Sequence, residues 1–270
     1  LTPSPHRPFR SFPLETLASV AIESGAVVHW AVPLDLPAER VAALGTVLSE
    51  DELTRASRFH FERDRRRFVV ARAALRFLLS AHCGRSAEVL RFSYGERGKP
   101  ALELGKGDPP VHFNLSHSHE LALIAVTRDA PIGVDVELVR PVADRDGIAA
   151  RFFSPREARA VARARPEHRD EAFFRCWTRK EAFIKAVGEG MAIPLDSFAV
   201  TVGRGAPRFL AIDRDDADAW SLLHWEPASG YTGATALRSP VARVSAWTID
   251  PSLLASRISG LVNIAESPAL

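Results

Sequence analysis

The run Ile132-Gly-Val-Asp-Val-Glu-Leu138 alternates β-branched or apolar residues with Gly133, Asp135 and Glu137, which predicts a buried strand with both acids on one face. Two residues along a strand span roughly 6.6 Å, so both carboxylates reach one hard cation or its bound waters. Taken alone, such a pair more often lies at a solvent-facing strand edge, because charged side chains are mostly exposed. Farther on, Trp177-Thr-Arg-Lys-Glu-Ala-Phe-Ile-Lys185 predicts a helix in which Glu181 and Lys185 share a face. That supplies a third carboxylate beside cations, although the pair also reads as a surface ion pair worth about a few tenths of a kcal/mol.

The larger pattern is a degenerate repeat. Ser49 with Glu52, and Ser154-Pro155-Arg156-Glu157, are two capping boxes, the second with proline at the first helical position. A longer helix follows each, over 62–82 and 169–187, and then a strand near 89–94 and another near 197–202. Arg97-Gly-Lys-Pro100 is echoed by Arg204-Gly-Ala-Pro207, and antiparallel strands near 111–128 and 220–238 close the halves. Duplication of an α+β unit explains the order. The expected fold is two similar lobes related by a pseudo-twofold, with mostly antiparallel sheets, long helices packed on them and the active site in the cleft between. The expected divisions are a loose segment at 1–13, lobes at 14–130 and 131–250, and an extension at 251–270 with a short helix around 253–263. The lobe boundary falls at the charged, proline-containing turn from Asp129 to Pro131.

With 270 residues and 46% hydrophobic composition the chain can bury a substantial core, and its net charge of +2 argues against a generally basic nucleic-acid coat. Its positive charge is nearly all arginine. The only lysines are Lys99, Lys106, Lys180 and Lys185, and a compact ammonium suits phosphate where a planar guanidinium suits bidentate pairing. Cys83 and Cys176 are isolated, which fits reduced thiols and a cytoplasmic setting. No apolar run approaches the roughly 20 residues needed to span a bilayer.

Four ordered motifs now stand together: Gly98-Lys-Pro100, Phe113-Asn-Leu-Ser-His-Ser118, Ile132-Gly-Val-Asp-Val-Glu137 and the segment Trp177 to Lys185. In these the chain resembles the 4′-phosphopantetheinyl transferase superfamily, in its larger pseudodimeric, single-chain type. The resemblance implies transfer of phosphopantetheine from coenzyme A to a serine of an apo acyl- or peptidyl-carrier protein of fatty-acid, polyketide or nonribosomal peptide synthesis, releasing 3′,5′-ADP. It implies that Asp135, Glu137 and Glu181 hold Mg²⁺, with Mn²⁺ suiting the same oxygens. Glu181 is similar to the family residue proposed as base for the carrier serine, with Lys185 the other catalytic group. Lys180 and Lys185 resemble phosphate-contacting lysines. Lys99, Pro100, Ser116 and His117 match positions toward coenzyme A, with Arg55 and Arg67 as cations near its 3′-phosphate. Glu52 departs from the pattern, standing where many relatives carry a basic residue. The enzyme is expected to be a monomer with no nucleic-acid or membrane partner, and the carrier to dock along Arg140 to Arg151.

Other readings remain open on the residues alone. A Mg²⁺-dependent nuclease also uses strand carboxylates and a helix glutamate, but the residue two after Glu137 is Val139 where such sites place a lysine. A nucleic-acid-binding module would use Arg55 to Arg76 and leave the acids without a purpose. A zinc site at His112, His117 and His119 has no matching cysteine, and a serine hydrolase on Ser116 and His117 requires neighbours that a strand points to opposite faces.

Overall fold

The computed structural model describes residues 9–12, 22–213 and 215–254. Strands β1 (Arg10–Ser11) and β2 (Ala26–Pro33) precede helices α1 (Ala38–Gly45), α2 (Glu50–Ser57) and α3 (Glu62–Cys83). Strands β3 (Phe92–Tyr94), β4 (Pro100–Leu102), β5 (His112–Ser118), β6 (Leu121–Thr127) and β7 (Ile132–Leu138) follow. Helices α4 (Arg145–Phe152), α5 (Pro155–Arg163) and α6 (Arg169–Val187) lead to β8 (Phe198–Val200), β9 (Phe209–Ile212), β10 (Ser221–Trp225), β11 (Tyr231–Leu237) and β12 (Arg243–Thr248).

Local chemistry sets these boundaries. Both capping boxes form, at Ser49 with Glu52 and at Ser154 with Glu157. The two long helices each end on a glycine in the left-handed region, Gly84 at φ 63° and Gly188 at φ 88°, where a side chain is strained.

The duplication is visible in the sheets. One sheet has the order β1-β12-β2-β6-β5 and a second β10-β11-β7, while β3-β4 and β8-β9 form a two-stranded sheet in each lobe. Counting from β2 and from β7, the first strand of each lobe pairs antiparallel with the fifth, and the fifth with the fourth: β2-β6-β5 and β7-β11-β10. Strand β12 breaks the symmetry. It runs parallel to β2 on that strand's other edge, and Ile249 and Leu254 join the first lobe's core. The span expected as the second lobe, 131–250, thus gives its last strand to the first sheet.

Three apolar clusters hold the fold. The first lies under α3 and includes Trp30, Leu75, Leu78 and Val126. A second packs α6 on β11 through Ala182, Phe183, Ala234 and Ala236. The third joins the lobes, with Val27, Ala31 and Leu123 meeting Val134, Val136 and Leu223. Residues 9–12 are not loose as expected: β1 pairs with β12, and the ring of Phe12 is buried edge-on to Trp30 and Trp247. Residues 1–8 and the expected helix beyond 254 lie outside the described residues.

Candidate active site at the interlobe seam

On β7, Ile132, Val134 and Val136 enter the interlobe core, so strand alternation turns Gly133, Asp135 and Glu137 toward α6. Gly133 makes the contact intimate. A Cβ there would fall far inside contact distance of the Ala182 carbonyl and the Ala186 amide, and 2.8 Å from the Lys185 carbonyl carbon. With no side chain, α6 settles directly on β7 and its last turns bring Glu181 and Lys185 over Asp135.

Across the seam, β5 and β7 lie edge to edge in different sheets, and side chains take the place of a backbone ladder. Asn114 Oδ1 accepts from the Val134 amide at 2.9 Å. Ser116 Oγ donates to Asp135 Oδ1 at 2.8 Å. Ser118 Oγ donates to Glu137 Oε2 at 2.6 Å and accepts from the Leu138 amide at 3.3 Å. Every second residue of β5 from 114 to 118 thus grips β7. His117 lies between them and takes the opposite face, exposed to solvent. Exposed as the residue is, the part of its ring that faces protein, then the charge of Lys185, lowers its pKa, with Asp64 opposing and Arg67 adding to it.

Asp135 is 5% exposed. Its Oδ1 takes the Ser116 hydroxyl and the Lys185 ammonium, the latter at 2.6 Å, and Lys185 Nζ also donates to Ser116 Oγ at 2.9 Å. Its Oδ2 is buried with no hydrogen-bond partner. Burial first, then the neighbouring carboxylates, raises the pKa of Glu181, with Lys185 opposing. Glu137 is raised by burial, against the Ser118 hydroxyl, with Asp135 raising it further. The three acids feel one another but do not converge: among the described residues no group of three or more His, Cys, Asp or Glu is placed to hold a metal. Lys185 occupies Asp135 Oδ1 and leaves Oδ2 without a partner.

Glu181 and Lys185 line an open cavity of about 230 Å³ with Arg97, Gly98, Lys99, Pro100 and Asn114. Of the sequence candidates, Asp135, Glu137, Glu181, Lys185, Ser116, Lys99 and Pro100 therefore gather at the seam. Arg67 sits to one side, paired with Asp35 at 2.6 Å. Arg55 is exposed and lines a separate surface cleft with Arg58, Arg91 and Tyr94.

Lys180 is elsewhere. It is fully buried in the second lobe, 2.8 Å from Glu157 and donating to the carbonyls of Leu195 and Phe198. One residue along a helix turns a side chain about 100°, so Lys180 cannot share the seam with Glu181, and its expected phosphate contact is corrected. Glu52 is explained by the same architecture. It is the buried capping-box acid of the first lobe, bound to Arg72 and to Arg76, the latter at 2.6 Å, as Glu157 is to Lys180. Arg72 and Arg76 are therefore interior, so the stretch Arg55 to Arg76 that a nucleic-acid-binding module would use is not one continuous basic surface. Sequence reasoning passed over Asn114 and Ser118, whose signal was their alternation with Ser116, and over Gly133, whose signal was a glycine inside a strand.

A duplicated α+β enzyme with its acids on the seam between lobes is the class this architecture defines. The family models agree with it: "4'-phosphopantetheinyl transferase, N-terminal" matches residues 37–129 and "4'-phosphopantetheinyl transferase superfamily" matches residues 131–236. The chain is similar to the 4'-phosphopantetheinyl transferase HetI of Nostoc sp., at 39% identity over 81% of this chain and 90% of that one. It is similar to psf-1 of Bacillus pumilus, at 31% identity over 76% and 84%, and to Sfp of Bacillus subtilis, at 33% over 57% and 66%. The chain belongs to the 4′-phosphopantetheinyl transferase superfamily, and its activity is transfer of phosphopantetheine from coenzyme A to an apo carrier protein. Among the described residues no helix is long and apolar enough to cross a membrane.

Proposed function

We propose that the transfer takes place over Asp135, Glu137, Glu181 and Lys185. The observation carrying this reading is the buried, uncommitted Oδ2 of Asp135, flanked by two glutamates whose ionised forms burial disfavours. Such a donor set fits a hard divalent cation, magnesium or manganese, that keeps room for water and phosphate oxygens. Asp135 Oδ2 would hold it, with Glu137 and Glu181 drawn in from the separation at which they now stand. A cation bound there supplies charge neutralisation on the pyrophosphate of coenzyme A.

The residues themselves do the rest. Lys185, anchored on Asp135 and Ser116, presents a positive charge at the cavity mouth where the pyrophosphate charge grows. Glu181 accepts the proton of the carrier serine as its Oγ bonds to phosphorus and the bond to the 3′,5′-ADP oxygen breaks. Its raised pKa suits it to that exchange. The cavity lined by Arg97, Gly98 and Pro100 takes the nucleotide end, with His117 on the other face of β5, Arg67 within electrostatic reach of it, and Arg55 farther out.

The carrier docks beside Arg140 and Arg151 through acidic residues of its own. Arg140 lies over the Phe174 ring and Arg151 over Phe152, which is 41% exposed, so this face offers both cations and an apolar contact. The protein acts as a monomer, since the duplication already provides both sides of the seam. A lobe boundary at Asp129 to Pro131 is supported by the two family models meeting there.

Incubation with Mg²⁺, coenzyme A and a panel of apo acyl- and peptidyl-carrier proteins is expected to add one phosphopantetheine mass to a carrier. Glu181→Gln should lower kcat by about 10²- to 10⁴-fold without loss of stability. Near-wild-type turnover by that variant would refute the placement.

A further inference from the structure

The ammonium of Lys99 is fully engaged by protein. Its Nζ donates to the backbone carbonyls of Ile132 at 3.1 Å, Lys185 at 2.6 Å and Ala186 at 3.0 Å. Three carbonyls use all three donors of a lysine. They come from the second lobe, whereas Lys99 lies between β3 and β4 of the first.

Two of these acceptors belong to the last turn of α6, where the carbonyls of a helix have no partner of their own and carry the negative end of its dipole. Lys99 is thus a helix cap supplied from the other lobe. The stem passes close over the helix end: a Cβ at Gly188 would meet Lys99 Cδ at 3.5 Å, an ordinary contact distance. The turn held this way carries Lys185, whose backbone carbonyl binds Lys99 while its side chain binds Asp135 and Ser116. The third acceptor, Ile132, opens the strand that carries Asp135 and Glu137.

We propose that Lys99 is a positioning residue that clamps the end of α6 and the start of β7, setting Lys185 against Asp135, and that it makes no contact with the nucleotide phosphates. The inference rests on the reaction lying over Asp135 and Glu181, and departs from the direct coenzyme A contact that the resemblance implied for Lys99. The rarity of lysine in this chain fits the geometry, because three convergent carbonyls match a compact ammonium better than a planar guanidinium.

Lys99→Met keeps the stem and removes the donors. It is expected to lower kcat about tenfold or more, the scale of misplacing reacting groups, while the Kd for 3′,5′-ADP, measured by calorimetry without metal, changes less than about twofold. In the wild type, with only four lysines to assign, ¹⁵N-lysine NMR should show the Lys99 ammonium signal unmoved by 3′,5′-ADP. In the variant the Lys185 signal should shift. An approximately tenfold weaker Kd, an unchanged kcat or a Lys99 signal that moves with 3′,5′-ADP would each overturn the clamp. If the variant does not fold, the wild-type NMR titration decides. Failure of the active-site placement shows separately, as turnover by Glu181→Gln with Lys99 intact.

Discussion

Three of the four lysines turn out to be places where a guanidinium would not serve. Lys99 meets three carbonyls, Lys185 an acid and a hydroxyl, and Lys180 an acid and two carbonyls, each from several directions at once. Composition flagged all three, yet it does not separate a seam lysine from a core lysine. Lys180 and Glu157 are both fully buried, and removing one partner of such a pair strands the other charge. Lys180→Met is therefore expected to destabilise the fold by about 3–5 kcal/mol. Urea unfolding measures this, and the folded fraction should bind 3′,5′-ADP as the wild type does. A weakened nucleotide with unchanged stability would restore the phosphate role.

Among the elements, the pairing of β7 with α6 decides whether the acids become a site. Gly133 permits that pairing, and a methyl group there must push the helix off the strand. Gly133→Ala is expected to cost about 1–3 kcal/mol in overpacking and to lower kcat about tenfold or more, since Lys185 and Glu181 ride on the displaced helix. Thermal unfolding and kcat measured on one sample check both. Wild-type values in either would show that the helix has slack. The strand itself, its acid face and both long helices were legible from periodicity and caps. The side-chain ladder from β5 was not, because alternation says which residues share a face and not which edge that face meets.

At the scale of the molecule, duplication produced two lobes but one acidic seam. Toward its long helix, β7 carries Gly133, Asp135 and Glu137, whereas β2 sends Val28, Trp30 and Val32 into the first lobe's core. The lobes meet around a buried polar pair: His29 Nε2 lies 2.9 Å from Thr235 Oγ1, which also accepts from Trp225 Nε1 at 3.0 Å. Burial lowers the His29 pKa from 6.5 to about 3, the Ser245 backbone opposing in part. Between those values the unfolded chain binds a proton that the folded chain refuses. His29 thus adds to stability fully above pH 6.5, and this is lost as pH falls toward 3. The loss is about 2 kcal/mol from pH 7 to pH 5. His29→Gln should flatten that part of the stability profile in urea titrations. An unchanged slope would mean that His29 is not the group responsible.

By itself the sequence determined the order of the repeated elements, the capped helix starts, the face that Asp135 shares with Glu137, and the family. These are local matters, written in spacing, caps and motif residues that act over one or two turns. Tertiary structure alone decided that Lys185 faces the acids while Lys180 is buried, that Glu52 answers Glu157, that β12 returns to the first sheet, and that Lys99 closes the end of α6. Each depends on what packs against an element, and no periodicity within an element specifies its neighbour.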